Sequence, residues 1–162
     1  VQNTAYTSPD GIRVSSSVVR RLLTEGDVAL AARCLGRPYQ LQGTVVYGFA
    51  EGRKMGFPTA NLDVSGLPLL IPARGVYAVR VGFGNEACVR PAMLNIGQRP
   101  TFGGLLTTIE AHVFHFNADV YGQPMRVAFV DRLRQEQRFD SVEALERQLA
   151  DDQCVALRVL GE

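Results

Sequence analysis

The chain has 162 residues, 46% hydrophobic and 20% charged, and its 17 basic and 16 acidic residues leave a net charge of +1. That length suits one domain with an appended fragment and is ample for a sizeable core, while near-neutrality argues against nucleic acid or an acidic membrane surface as partner. Three distant cysteines, Cys34, Cys88 and Cys154, form no C-x-x-C pair, which argues against a disulfide framework or a zinc site and reads as buried thiols in a reducing compartment.

No apolar run reaches transmembrane length and no signal peptide is evident, so the cytoplasm is the expected location. The chain opens on Val1, not on an initiator Met, and its natural start is expected to lie upstream.

Residues 1–13 are polar, carry turn signals at Ser8-Pro9-Asp10-Gly11, and read as loop or weak strand. Ser15, Ser16 and Ser17 are candidate caps for a short helix that Gly26 stops. Asp27 can cap a second helix through Leu35, closed by Gly36 and Pro38. These two helices are too small to hold a core alone and read as an N-terminal appendage.

From Tyr39 the texture changes. Residues 41–47, 75–83, 89–96, 107–116 and 125–133 are rich in Val, Thr, Phe and Tyr, with turn residues between them and a hairpin turn at Gly84-Asn85. Short strands without intervening helices predict an antiparallel sheet that closes into a barrel. At the end, Asp140 with Glu143 has capping-box spacing, and Phe139 can staple against Ala144. Val142, Leu145, Leu149, Ala156 and Val159 then recur as one apolar helical stripe to lie on the barrel.

The most unusual stretch runs from Gly48 to Asn61. Gly48, Gly52 and Gly56 allow close approach to a ligand. Arg53 and Lys54 place two cations between them, suited to phosphate oxygens. After the rigid Pro58, the Thr59 hydroxyl and Asn61 amide share a face in extended backbone, a plausible cradle for Mg²⁺ and phosphates. The plain alternative is a mobile surface loop. No P-loop and no G-x-G-x-x-G opening a helix is present, so ATP would need a different solution.

Glu110 stands out as a carboxylate on an apolar and aromatic strand, where partial desolvation would raise its proton affinity toward that of a general base. The competing reading is a solvated residue on the outer face. His112 and His115 are a poor chelate, because strand residues three apart point to opposite faces. Residues 95–104 read as a polar, turn-rich loop after a strand, and residues 133–139 lead into the last helix. Either segment fits a pocket wall or an ordinary connection.

Taken in order, these segments resemble the riboflavin kinase family. The motifs are G-R-P-Y at residues 36–39, G-F-P-T-A-N at 56–61 and G-V-Y-A-V at 75–79. N-I-G-x-R-P-T-F follows at 95–102, then the strand of Glu110, D-V-Y-G at 119–122 and L-R-x-E-x-x-F at 133–139. The resemblance implies a mainly β fold: a closed six-stranded antiparallel barrel with a C-terminal helix and a short helical N-terminal appendage. It implies ATP-dependent phosphorylation of riboflavin to FMN, with Glu110 as base and Thr59 and Asn61 on Mg²⁺ and phosphate. Gly48, Gly52, Arg53, Lys54, Gly56 and Pro58 would complete a flap over ATP, while Asn95, Gly97, Thr101, Phe102 and Arg134 would border the flavin.

Residues 14–20 resemble the I-S-S-T-x-I-R segment that ends the adenylyltransferase module of bacterial bifunctional enzymes, with Ser17 in place of the Thr. Residues 1–35 are therefore expected to be the remnant of that module and its linker, and residues 36–162 the kinase domain. The adenylyltransferase module itself is expected to be missing, because its H-x-G-H-type residues are absent, and its activity with it. A non-catalytic barrel binding a flavin or an oligonucleotide is the alternative; low charge and the absence of Trp count against the oligonucleotide.

Overall fold

A computed structural model describes residues 7–8, 11–48 and 51–162. Residues 1–6, Pro9 and Asp10 of the expected N-terminal loop, and Phe49 and Ala50 of the glycine segment, lie outside the described residues. Thr7 and Arg13 form an isolated antiparallel bridge.

The N-terminal helices begin and end where their caps predict. Helix α1 (Ser16–Glu25) starts at Ser15, whose hydroxyl accepts from the Val18 amide, and stops at Gly26 with φ 86°. Helix α2 (Val28–Leu35) is capped by Asp27 and stops at Gly36 with φ 70°. Only glycine enters that left-handed region without steric cost. The pair is more than an appendage: Leu22, Leu23, Val28, Ala31 and Cys34 are buried in the barrel's own core. Each buried leucine contributes about 2 kcal/mol by leaving water. Arg132 ties the junction by donating to the Glu25 carbonyl at 3.1 Å, a cation at a helix C-terminus.

Six strands follow: β1 (Gln40–Val46), β2 (Ala60–Asp63), β3 (Gly75–Phe83), β4 (Arg90–Thr101), β5 (Gly104–Val113) and β6 (Pro124–Arg134). They close antiparallel in the order β1-β2-β5-β4-β3-β6. A four-residue helix α3 (Glu51–Lys54) stands between β1 and β2, and α4 (Val142–Leu160) covers one side.

Side-chain alternation separates an inside from an outside. Leu41 and Val45, Val79 and Val81, Leu94 and Ile96, Ile109 and Ala111, and Val127 and Phe129 fill the interior. A second, smaller cluster, with Ala78, Met93, Phe114, Ala156 and Leu160, lies on the outer wall beneath α4.

Five expectations are corrected. Residues 95–101 are strand, not loop, because β4 runs on to pair Gln98 with Thr107 and Thr101 with Gly104 across a tight turn. Strand β2 is too short to be read as a strand from composition. The N-cap of α4 is Ser141, whose hydroxyl accepts from the Ala144 amide at 3.1 Å; Asp140 lies one residue too early. Its inward face is Leu145, Leu149, Asp152, Ala156 and Leu160, while Val142 (58% exposed) and Val159 (38%) point out. Of the cysteines only Cys34 is buried; Cys88 is half-buried and Cys154 exposed, all free. Among the described residues no helix is long and apolar enough to cross a membrane.

Gly43 sits where β1 is squeezed between β2 and β6, and a Cβ there would overlap the Asp63 carbonyl. Gly43→Ala is expected to destabilise the barrel by about 1–3 kcal/mol, the usual cost of overpacking. Urea unfolding reads this directly, and an unchanged midpoint would contradict it.

Candidate active site

Interior positions on β5 are Ile109, Ala111 and Val113, so Glu110 and His112 project from the outer wall. On one side, Glu110 lies opposite Asn61 of β2, and on the other opposite Asn95 of β4. Thr59 immediately precedes β2, and its hydroxyl reaches Glu110 Oε2 at 3.4 Å. Arg99 holds the other oxygen, with Nη2 to Oε1 at 3.5 Å. Thr59, Asn61, Glu110 and Asn95 thus converge across three adjacent strands.

Two further contacts hold the 57–61 segment. His112 Nδ1 lies 2.8 Å from the Pro58 carbonyl. A carbonyl only accepts, so Nδ1 carries the hydrogen. The imidazole packs edge-on against Phe57 and Phe114. Burial pushes its pKa below the ordinary imidazole range, against the smaller opposing effect of the Pro58 bond. Gly48 lies beneath the Asn61 amide, where a Cβ would overlap it. Residues 51–57 of the glycine segment are more ordered than an open loop: α3 forms within them, and Phe57 N donates to the Gly52 carbonyl at 2.8 Å.

Two cavities meet here. The inner one, about 490 Å³, opens at the barrel rim between Gly48, Arg53, Asn61, Phe83, Phe116 and residues 117–121. The outer one, about 370 Å³, lies between the barrel wall and α4, with Glu110, Asn95, Arg134, Phe139, Leu145 and Leu149 on its walls. Thr59 lines both.

Of the expected site residues, Gly48, Arg53, Pro58, Thr59 and Asn61 border the inner cavity. Gly52, Thr59, Glu110, Asn95 and Arg134 border the outer one. Gly97 sits beside it, and the missing side chain admits Glu136, whose Oε1 would be 2.6 Å from a Cβ. Lys54 and Gly56 are exposed and line neither cavity, with Gly56 at φ 79°. Thr101 and Phe102 line neither cavity; they stand at the exposed tip of the β4–β5 hairpin.

Sequence reasoning missed Arg99, His112 as a buttress, and the α4 wall. Arg99 sat inside a quoted motif, but only the β4–β5 register brings it to Glu110. His115 lies beyond β5 with φ 53°, apart from His112. Among the described residues, no group of three His, Cys, Asp or Glu gathers to hold a metal.

A family model described as "Flavokinase: Riboflavin kinase" matches residues 35–160. The bifunctional riboflavin kinase/FMN adenylyltransferase of Escherichia coli (strain K12) is 40% identical over 152 residues, 93% of this chain and 47% of that protein. Its namesake from Bacillus subtilis (strain 168) is 38% identical over 149 residues, covering 90% and 46%. The chain spans about half the length of the curated relatives it matches. A crystal structure described as a macrolide-efflux protein from Streptococcus pneumoniae superposes with TM-score 0.85 at 37% identity, covering 94% of this chain and 49% of that one. Riboflavin kinase from Trypanosoma brucei shares the fold at TM-score 0.50 and 24% identity, covering 77% and 78%.

Because the His112 pKa is lowered in the folded state, its unfolded form binds protons first as pH falls. The stability tied to neutral His112 is complete above about 6.5, the unfolded value, and is lost as pH drops through the folded pKa. Thermal melts between pH 7 and 5 should show a falling Tm whose slope is reduced in His112→Gln. An identical slope would contradict this role.

Proposed function

The chain belongs to the riboflavin kinase family, and we propose that its two cavities hold the two substrates, with phosphate passing between them at Thr59. ATP occupies the inner cavity at the barrel rim, and riboflavin lies in the outer cavity beneath α4. The observation that carries this reading is that Thr59 lines both spaces and reaches Glu110 at 3.4 Å.

Phosphoryl transfer asks a protein mainly for alignment and charge neutralisation. The terminal ribityl hydroxyl attacks the γ-phosphorus in line; the new O–P bond forms as the bond to the β-phosphate oxygen breaks, leaving FMN and ADP. Glu110 accepts the hydroxyl proton. Arg99 fixes one carboxylate oxygen and leaves the other facing Thr59. Arg53 and Lys54, both in the last turn of α3, bring cations to the phosphates.

The residues at the rim suit a hard divalent cation. Thr59 and Asn61 supply oxygen donors, and Gly48 leaves the Asn61 amide a cradle that a Cβ would fill. Few protein ligands and several waters are the usual manner of Mg²⁺. When bound with ATP, Mg²⁺ offsets charge on the phosphate oxygens.

Residues 1–35 read as the end of a preceding module, a division supported by a family match that starts at residue 35. The FMN adenylyltransferase activity in the relatives' names falls, on this reading, in the half of their length that this chain does not cover. A flavin-binding barrel without catalysis would have no use for two cavities that share Thr59, with a carboxylate 3.4 Å from its hydroxyl.

Incubation with riboflavin, ATP and Mg²⁺ is expected to yield FMN and ADP in equal amounts, without FAD. Absence of FMN would reject the function. Glu110→Gln should lower kcat by about 10²–10⁴ while leaving riboflavin affinity nearly unchanged; equal turnover would remove Glu110 as the base. Thr59→Ala is expected to raise the KM for Mg-ATP, and an unaltered ATP titration would count against its place at the phosphates.

A further inference from the structure

Asp152 is 3% exposed, and among the described residues it is the buried charged side chain. It lies on the inward face of α4, where a carboxylate without a partner would be strongly unfavourable. Arg134 of β6 compensates it in a fork: Nε is 3.0 Å from both oxygens and Nη2 is 2.7 Å from Oδ2. Gln148, one helical turn back, donates to Oδ1 at 2.9 Å. The guanidinium is held over the Phe139 ring at 5.7 Å, on the wall of the outer cavity.

Donor accounting narrows what Arg134 does there. A guanidinium carries five N–H groups. The Nε hydrogen and one on Nη2 go to Asp152, and one on Nη1 goes to the Gln135 carbonyl at 3.0 Å. Two remain. The positive charge is already matched by a buried carboxylate, so the pair presents directional donors with little net charge. Around it the cavity is walled by Phe139, Leu145, Leu149 and Met93, a setting for a flat, neutral, largely apolar ring. Of the other cations, Arg53 borders the inner cavity on the far side of Thr59, and Arg99 in the outer cavity is held by Glu110 at 3.5 Å.

We infer that Asp152 is a positioning residue for flavin binding. By orienting and neutralising Arg134, it makes that arginine a donor of two hydrogen bonds to neutral ring acceptors in place of a cation for phosphate. This rests on the reading that riboflavin occupies the outer cavity. It adds that the ring system, not a phosphate, lies against Arg134, and that α4 takes part in recognition through a residue that touches no substrate.

The test is the near-isosteric Asp152→Asn, followed by flavin-fluorescence titration with riboflavin and separately with FMN. Losing a charge-assisted fork should weaken both by the same factor, roughly tenfold to a hundredfold, with the KM for Mg-ATP within about twofold. On an Arg134→Lys background, which lacks the fork geometry, Asp152→Asn should add little further loss. Unchanged flavin affinity in folded protein, FMN binding that tightens because a cation has been freed, or fully additive losses would each overturn the inference. Should Asp152→Asn fail to fold, Gln148→Leu removes one support without leaving a bare charge; it should weaken riboflavin and FMN together, by less, and unaltered flavin affinity there would also overturn it. Wild-type chain that forms no FMN would instead reject the underlying assignment of the cavity.

Discussion

The narrow seam between β2 and β5 is the constraint on which the rest depends. Two residue pairs close it, Ala60 with Ala111 and Asn61 with Glu110. Without that register the barrel has an open edge, with the exposed hydrogen-bonding groups such an edge carries. The same register sets Glu110 beside Asn61 and within reach of Thr59. Closure and the convergence of Thr59, Asn61 and Glu110 are one event, so the proposed chemistry sits where the fold is most sparingly paired. The contacts that reinforce the seam are correspondingly specific: His112 on the Pro58 carbonyl, Gly48 beneath Asn61, and Arg99 against Glu110.

Alternation along β5 gives the seam two sides. Ala111 and Val113 face the interior and contribute to the inner cavity; Glu110 and His112 face outward and contribute to the other. A strand rim is the place where a group can belong to both, and Thr59, just before β2, is that group. On the proposed reading, two substrates approaching from opposite faces of one wall would meet there without either needing to cross the packed barrel core. Rigid strands hold the carboxylate and hydroxyl, while the cations ride on a short helix beside a segment of glycines, a division that suits precise alignment with adjustable closure.

Charge is distributed in the same sense. The Asp152–Arg134 pair is buried and mutually matched beneath α4, while Arg53 is left exposed at the inner rim and its neighbour Lys54 is exposed as well. Helix α4 therefore does more than cover apolar wall. Its Leu145 and Leu149 bound the outer cavity, and its acid fixes the one arginine there that sequence reading had connected with the flavin. The Tyr47–Tyr121 stack, with centroids 3.9 Å apart, adds an aromatic edge at the other mouth, between β1 and the 117–121 segment.

Much of this was legible in the chain itself, because local chemistry is sufficient for it. Ser15, Gly26, Asp27 and Gly36 delimit two helices through backbone hydrogen bonding and left-handed φ alone. The β-rich texture after Tyr39 pointed to a barrel, and ordered motifs identified the family. Other features required the third dimension. Strand β2 is only four residues long, so it exists through its partners and not through its own propensity. The 95–101 segment looks like a loop until β5 pairs with it, and the face of α4 is chosen by the wall it meets, so Val159 turns out and Asp152 turns in. Arg99 and Glu110 are eleven residues apart in sequence, Arg134 and Asp152 eighteen; register and packing, which are properties of paired elements, made neighbours of them.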